Sequence, residues 1–247
     1  MSIPKIIHCC WFGGSPLPGY AVKCMDSWKR FCPDYEIKLW NEESFDFSSC
    51  KYAAEAYENK KYAFVTDYVR LAVLYEYGGI YLDTDVELLK PLDPLLSKAG
   101  FAGFERGAPG PYGRDFLIAT GLGIGSEPKN ELIFSMLRDY DGVSFAGENG
   151  QIDVTPCSAR NTGTLIRHGL VPDGSYQELG GFCFYPVSYF APYDFVTHKT
   201  RITGHTYSIH HYAASWSSQK SPWQEFKQRL KCTAIGRIFL RYKYGHR

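Results

Sequence analysis

No stretch of the 247 residues approaches the roughly 18 consecutive apolar residues of a membrane-spanning helix, which argues against an integral membrane protein. The N-terminus, Met-Ser-Ile-Pro-Lys-Ile-Ile-His, lacks a basic segment followed by an apolar one, so no secretory signal is read there and a cytoplasmic setting is expected. No Cys-x-x-Cys pair occurs among the eight cysteines (Cys9, Cys10, Cys24, Cys32, Cys50, Cys157, Cys183 and Cys232). Reduced, mostly buried thiols are expected, not a disulfide framework or a zinc site. Internal repeats and low-complexity linkers are also missing, and a charged fraction of 21% beside 45% hydrophobic residues excludes a disordered, collagenous or coiled-coil chain.

Aromatic residues, by contrast, are plentiful. Tyr, Phe and Trp number 19, 16 and 5, or 16% of the chain. Most are expected to fill the core, but rings with polar rims also suit sugars and nucleobases. The net charge of +1 is unevenly spread: residues 220–247 carry +7, which leaves the remainder at −6. A catalytic domain over residues 1–219 and a basic, amphipathic helical extension over residues 220–247 are expected. The apolar members Phe226 and Leu230, then Ile235, Ile238, Phe239 and Tyr242, fall at helical spacing. Such a segment suits peripheral contact with an anionic membrane face, or else docks on the domain.

An apolar run over residues 5–12 reads as a buried strand, residues 20–31 as a helix and residues 36–40 as a second strand, the opening of an α/β fold. Helices are predicted over 51–60 and 62–77. In the second, Phe64, Tyr68, Leu71 and Tyr75 mark the buried stripe, with Asp67 and Arg70 beside it. Gly78-Gly79 closes that helix, and residues 80–82 enter Asp83-Thr84-Asp85 as a strand, with another apolar stretch at 86–89. The signal then weakens. A loop is predicted over 105–113, a strand over 116–124, helices over 128–140 and 161–169, extended chain over 182–190, and a strand over 207–212. Residues 142–155 read as a polar, Gly-rich loop.

Four groups of residues carry chemistry. Asp83 and Asp85, at i and i+2, would point to one face of an extended chain and offer hard oxygen ligands for Mg2+ or Mn2+; the alternative is a solvated turn. Asp67 and Arg70 are i, i+3 neighbours, either an intrahelical ion pair or a carboxylate for sugar hydroxyls beside a guanidinium for a phosphate. His210-His211 precedes Ser215-Trp216; adjacent strand residues point oppositely, so only one of the two histidines should face a site. Trp11, before Gly13-Gly14, is either a core residue or a platform for a base. Glu148, Asn149, Gln151 and Asp153 are weaker candidates for acceptor contacts. Gly121-Leu122-Gly123-Ile124-Gly125-Ser126 does not fit the dinucleotide pattern G-x-G-x-x-G, which disfavours an NAD(P) oxidoreductase.

The segments Ile3-Pro4-Lys5-Ile6-Ile7-His8 with Trp11 and Gly13-Gly14, Thr66-Asp67-Tyr68-Val69-Arg70-Leu71, Gly78-Gly79-Ile80-Tyr81-Leu82-Asp83-Thr84-Asp85 and His210-His211 through Ser215-Trp216 together resemble, in order and spacing, the glycosyltransferases with a DXD sugar-binding region, family 32. Thr66 stands where serine is common. The resemblance implies a GT-A fold, a Rossmann-like nucleotide-sugar-binding domain with a central mixed sheet flanked by helices. It implies Mn2+ or Mg2+ and a nucleotide-sugar donor, with retention of anomeric configuration; since the sequence offers no obvious nucleophile, same-face attack by the acceptor is expected over a covalent glycosyl-enzyme. By the same resemblance Trp11 stacks on the base, Asp67 and Arg70 meet the donor sugar, and Asp83 meets ribose or sugar. Asp85 ligates the metal, with Asp83, His210 and His211 as further candidate ligands, while His210 or His211 with Ser215 and Trp216 closes over the diphosphate. UDP-sugars are the first expected donors and GDP-mannose the second. The expected acceptor is a saccharide or lipid-linked saccharide of surface polysaccharide synthesis, with no nucleic-acid partner. A nucleotide-sugar hydrolase would share the donor site without an acceptor pocket. A non-catalytic carbohydrate-binding protein would not need Asp67, Asp83 and Asp85 together.

Overall fold

The computed structural model describes residues 2–48, 50–107, 116–147, 150–194 and 199–213. The extension over 220–247, with Ser215, Trp216, Glu148 and Asn149, lies outside the described residues. The chain opens with strand β1 (Ile6–Cys10), helix α1 (Gly19–Phe31), strand β2 (Glu36–Trp40) and helices α2 (Lys51–Glu58) and α3 (Tyr62–Tyr77). Strands β3 (Gly79–Tyr81), β4 (Val86–Leu88), β5 (Gly100–Arg106), β6 (Phe116–Ile118) and β7 (Ile124–Ser126) follow, then helices α4 (Glu131–Arg138) and α5 (Cys157–Arg167). The last elements are β8 (Gln177–Leu179), β9 (Phe182–Tyr185), the short pair β10 (Tyr193–Asp194) and β11 (Lys199–Thr200), and β12 (Ser208–His210).

The main sheet runs β2-β1-β3-β7-β5-β9-β8, with β6 also paired to β5. Strands β2, β1 and β3 are mutually parallel, whereas β7 is antiparallel to both β3 and β5. It follows that β3 and β5 run the same way and end at one edge, together with β1. A second, two-stranded sheet pairs β12 with β4. The architecture is the mixed α/β sheet flanked by helices that the resemblance implied.

Side chains alternate across the sheet and divide the core in two. From β1 and β3, Ile7, Cys9, Ile80 and Leu82 join Trp28 of α1 and Val86 and Leu88 of β4 on one face. Cys10 and Tyr81 face the opposite side, where α2, α3, α4 and α5 pack through Ala53, Val65, Val69, Val73, Ile133, Met136 and Leu165. Among the described residues seven cysteines are free thiols, six of them buried.

Four local readings change. The predicted strand over 116–124 is two strands, β6 and β7, because the chain turns at Thr120 and Gly121. Helix α5 begins at Cys157, since its buried face carries Ser158, Asn161, Thr162 and Thr164, polar residues that mask an apolar stripe. Residues 105 and 106, read as loop, complete β5. Extended chain from Phe182 ends at Tyr185 and gives way to a turn.

Candidate active site

Alternation along β3 points Tyr81 toward the α3 face, and Asp83 follows it there. The Tyr81 hydroxyl donates to Asp83 Oδ1 at 2.9 Å, and the Asp83 amide donates to the Gly121 carbonyl at 3.1 Å. The Asp-Thr-Asp segment is not extended: the Val86 amide closes a turn onto the Asp83 carbonyl at 2.9 Å. The two carboxylates therefore converge through a turn and not through strand periodicity. Gly121 makes room for one of them, since a Cβ at that position would lie 2.1 Å from Asp83 Oδ2.

The third ligand candidate comes from 127 residues downstream of Asp83. Antiparallel pairing of β12 with β4 sets His210 opposite Val86. Its Nε2 lies 2.9 Å from Asp85 Oδ1 and 3.8 Å from Asp83 Oδ2. Ligand atoms of Asp83, Asp85 and His210 all fall within 4.8 Å of one another. The returning chain also wraps Asp85: the His211 amide donates to its carbonyl at 3.0 Å, and the Ala213 amide to Oδ2 at 2.6 Å. Burial pushes the Asp85 carboxyl up, but adjacent His210 and the amide outweigh it and hold its pKa down to about 2. Two hard carboxylates and an imidazole suit Mn2+ or Mg2+. The buried His210 Nδ1 has no hydrogen-bond partner among the described residues, consistent with an imidazole placed to serve a ligand and not the core. His211 is not in this group. It points away and pairs with Glu87 at 3.0 Å, which removes it from the expected metal ligands.

Arg70 and Asp67 are more central than the helical stripe suggested. They are buried, 4% and 8% exposed, while Phe64, Tyr68 and Tyr75 pack only partly covered around the core. Arg70 Nη2 lies 3.1 Å from Asp67 and 3.3 Å from Asp83, and Nη1 donates to the Thr120 hydroxyl at 3.1 Å. Burial opposes the guanidinium charge, but Asp83 and Asp67 more than offset it and keep Arg70 cationic. The pair is thus tied directly to the aspartate turn. Cys157, at the start of α5, approaches Arg70 at 3.4 Å with a thiol that burial pushes up, away from the thiolate form.

Trp11 follows β1 at the same sheet edge, partly exposed, with its indole N–H donating to the Ser15 carbonyl at 2.7 Å. Gly13, at φ +94°, lets the loop press onto the Tyr62 ring, which a Cβ would meet at 2.4 Å. His8 is structural. Fully buried, it bridges the Gly78 carbonyl (2.9 Å) and the Trp40 indole N–H (3.0 Å), and burial holds its pKa down to about 4. Among the loop candidates, Gln151 is exposed and Asp153 is bound to Arg160. Sequence reasoning passed over Thr120, Gly121, Glu105 and Tyr212. Gly121 lay in a segment read as strand and as a failed dinucleotide motif, and Glu105 in a stretch read as loop.

A mixed α/β sheet bearing a paired-aspartate turn at the carboxyl edge of a central strand defines a GT-A glycosyltransferase fold. Residues 18–102 match the family model described as "Glycosyltransferase sugar-binding region containing DXD motif". It is 41% identical over 99 residues to inositol phosphoceramide mannosyltransferase 3 of Schizosaccharomyces pombe, an alignment covering 38% of this chain and 28% of that protein. Identity to inositol phosphoceramide mannosyltransferase 1 of the same yeast is 30% over 144 residues, 56% of this chain and 42% of that one. The chain thus spans less than half the length of these relatives. Among solved structures, the PaToxG glycosyltransferase superposes with a TM-score of 0.51 at 18% identity, covering 67% of this chain and 70% of the other, a likeness of fold.

Proposed function

We propose that the protein is a metal-dependent, retaining hexosyltransferase that carries mannose from a nucleotide-sugar to a lipid-linked acceptor of the inositol phosphoceramide kind. The observation that carries this reading is the convergence of Asp83, Asp85 and His210 within 4.8 Å, backed by the buried Arg70–Asp67 pair. A divalent cation held there supplies positive charge against the leaving diphosphate. Arg70 holds Asp83 in orientation, and Asp67 is placed for the donor sugar's hydroxyls. Trp11 offers a ring to the base at the same edge of the sheet. The names of the two yeast relatives favour a mannosyl donor, which moves GDP-mannose ahead of the UDP-sugars and a lipid acceptor ahead of a surface polysaccharide.

The test incubates the purified protein with GDP-mannose or UDP-hexoses, Mn2+ and inositol phosphoceramide in detergent, and reads products by mass spectrometry. A gain of one hexose is expected with GDP-mannose. EDTA should abolish it, added Mn2+ should restore it, and Asp85→Asn should lack it while staying folded. Undiminished transfer in EDTA refutes the metal assignment. No hexose addition from any donor refutes the transferase reading.

A further inference from the structure

We infer that Glu105 is a further catalytic carboxylate, which binds the acceptor hydroxyl and takes its proton as the new glycosidic bond forms. The inference rests on the transferase reading above. Glu105 is the penultimate residue of β5, and β5 runs parallel to β3, so it emerges at the same sheet edge as the aspartate turn. The Tyr212 hydroxyl donates to Glu105 Oε2 at 3.3 Å, and the Tyr212 ring stands edge-on to His210 with centroids 4.1 Å apart. One side chain therefore links Glu105 to the metal-ligand cluster. Tyr212 does this at φ +48°, a conformation uncommon for a bulky residue and concentrated at functional sites. Groups that act on the Glu105 carboxylate include the His210 imidazole, the Tyr212 and Ser158 hydroxyls and the Asp83 carboxylate.

Asp83 and Asp85 belong to the ligand cluster with His210, and Glu105 does not. It is left beside the residues that would hold the diphosphate. An acceptor attacking the face that the diphosphate leaves must enter on this side. A carboxylate here is placed to receive its proton, whereas a covalent nucleophile would have to stand on the opposite face of the sugar. In the step, the acceptor oxygen bonds to the anomeric carbon while the bond from that carbon to the diphosphate oxygen breaks. The bonding pair departs with the diphosphate, and the hydroxyl proton passes to Glu105. Tyr212 is a positioning residue.

The experiment compares the full chain with Glu105→Gln, Glu105→Ala and Tyr212→Phe, using GDP-mannose or whichever hexose donor supports transfer. Nucleotide dissociation constants are measured by calorimetry and turnover with and without formate. Losing a general base should lower kcat roughly a hundredfold or more in both Glu105 variants. Nucleotide affinity should stay within about twofold, and formate should partly restore Glu105→Ala but not Glu105→Gln, whose amide fills the space. Tyr212→Phe should lower kcat more than it alters nucleotide affinity. Near-wild-type turnover in Glu105→Gln, a parallel loss of nucleotide binding without formate rescue, or a hexosyl adduct on Glu105 overturns the inference while the transferase reading stands. If the intact protein transfers no hexose, both fall. Should the Glu105 variants fail to fold, a wild-type kcat in Tyr212→Phe overturns it alone.

Discussion

Arg70 shows how much one side chain does in this site. Its two terminal nitrogens serve Asp67, Asp83 and Thr120, and its Cζ lies 5.0 Å from the centre of the Tyr81 ring, within reach of a cation–π contact. A lysine carries the charge and three donors, but on a single nitrogen, so it lacks the planar fork whose two nitrogens divide these partners between them. Removing the charge altogether strands two carboxylates. Arg70→Ala is expected to cost about 3–5 kcal/mol, a Tm fall of roughly 6–20 °C for a chain of this size. Arg70→Lys should lose less stability but still bind nucleotide-sugar poorly. Asp67→Asn should lower turnover far more than nucleotide affinity. Thermal unfolding and calorimetric titration of the three variants decide the matter. Wild-type Tm and affinity in Arg70→Lys would mean that the fork is dispensable. The i, i+3 spacing of Asp67 and Arg70 was visible in the sequence. Their inward orientation was not, because an apolar stripe including Phe64, Tyr68 and Tyr75 describes a one-sided helix, whereas α3 is covered on several sides.

Between elements, His8 ties β1 to the end of β2 and to the turn that launches β3. Its Nδ1 accepts from Trp40, so Nε2 carries the proton donated to the Gly78 carbonyl, and the ring is neutral. The pKa of about 4 lies below the ordinary value of 6.5. The unfolded chain therefore binds the extra proton between those values, and stability falls as pH drops from about 6.5 toward 4. The whole span is worth about 3 kcal/mol. His8→Gln keeps a donor and an acceptor without titrating there. Its Tm should fall less steeply than that of the wild type over this window, and identical slopes would show that His8 does not govern the acid limb. The segment 116–124 belongs to two elements and not one. Apolar composition identified it as extended chain, but the turn at Thr120 and Gly121 divides it, and that turn supplies both the hydroxyl that meets Arg70 and the space that Asp83 fills.

Across the whole molecule, the return of the chain from Ser208 to Ala213 completes the site, for it delivers His210 to the cluster and Tyr212 to Glu105. No described helix is long and apolar enough to cross a membrane. For the proposed lipid acceptor, the +7 charge of residues 220–247 offers a means of approach to an anionic surface. Each basic residue near an anionic surface contributes about 1 kcal/mol, an attraction that salt screens. The protein should sediment with vesicles rich in phosphatidylserine at low salt and be released at high salt, and glutamine at Lys227, Arg229 and Lys231 should weaken the association. Equal recovery in the supernatant at both salt concentrations would rule out the surface contact.

What the sequence by itself determined was the alternation of strands and helices, the bounds of α1, β2 and α3 to within a residue, and the neighbouring of Asp67 and Arg70; Asp83 and Asp85 were singled out together, but on an extended chain where the structure has a turn. The first three follow from local rules, namely periodicity, glycine at a helix end and side-chain spacing on one element. Only the tertiary structure decided which histidine joins the aspartates. Strand alternation separates His210 from His211, but the antiparallel register of β12 on β4 chooses between them, and register is set by packing across 120 residues of chain. The same holds for Glu105 and Gly121. Neither stands in a motif, and each matters because the sheet order β3-β7-β5 brings the end of β5 and the glycine turn before β7 to the edge that carries the aspartate turn.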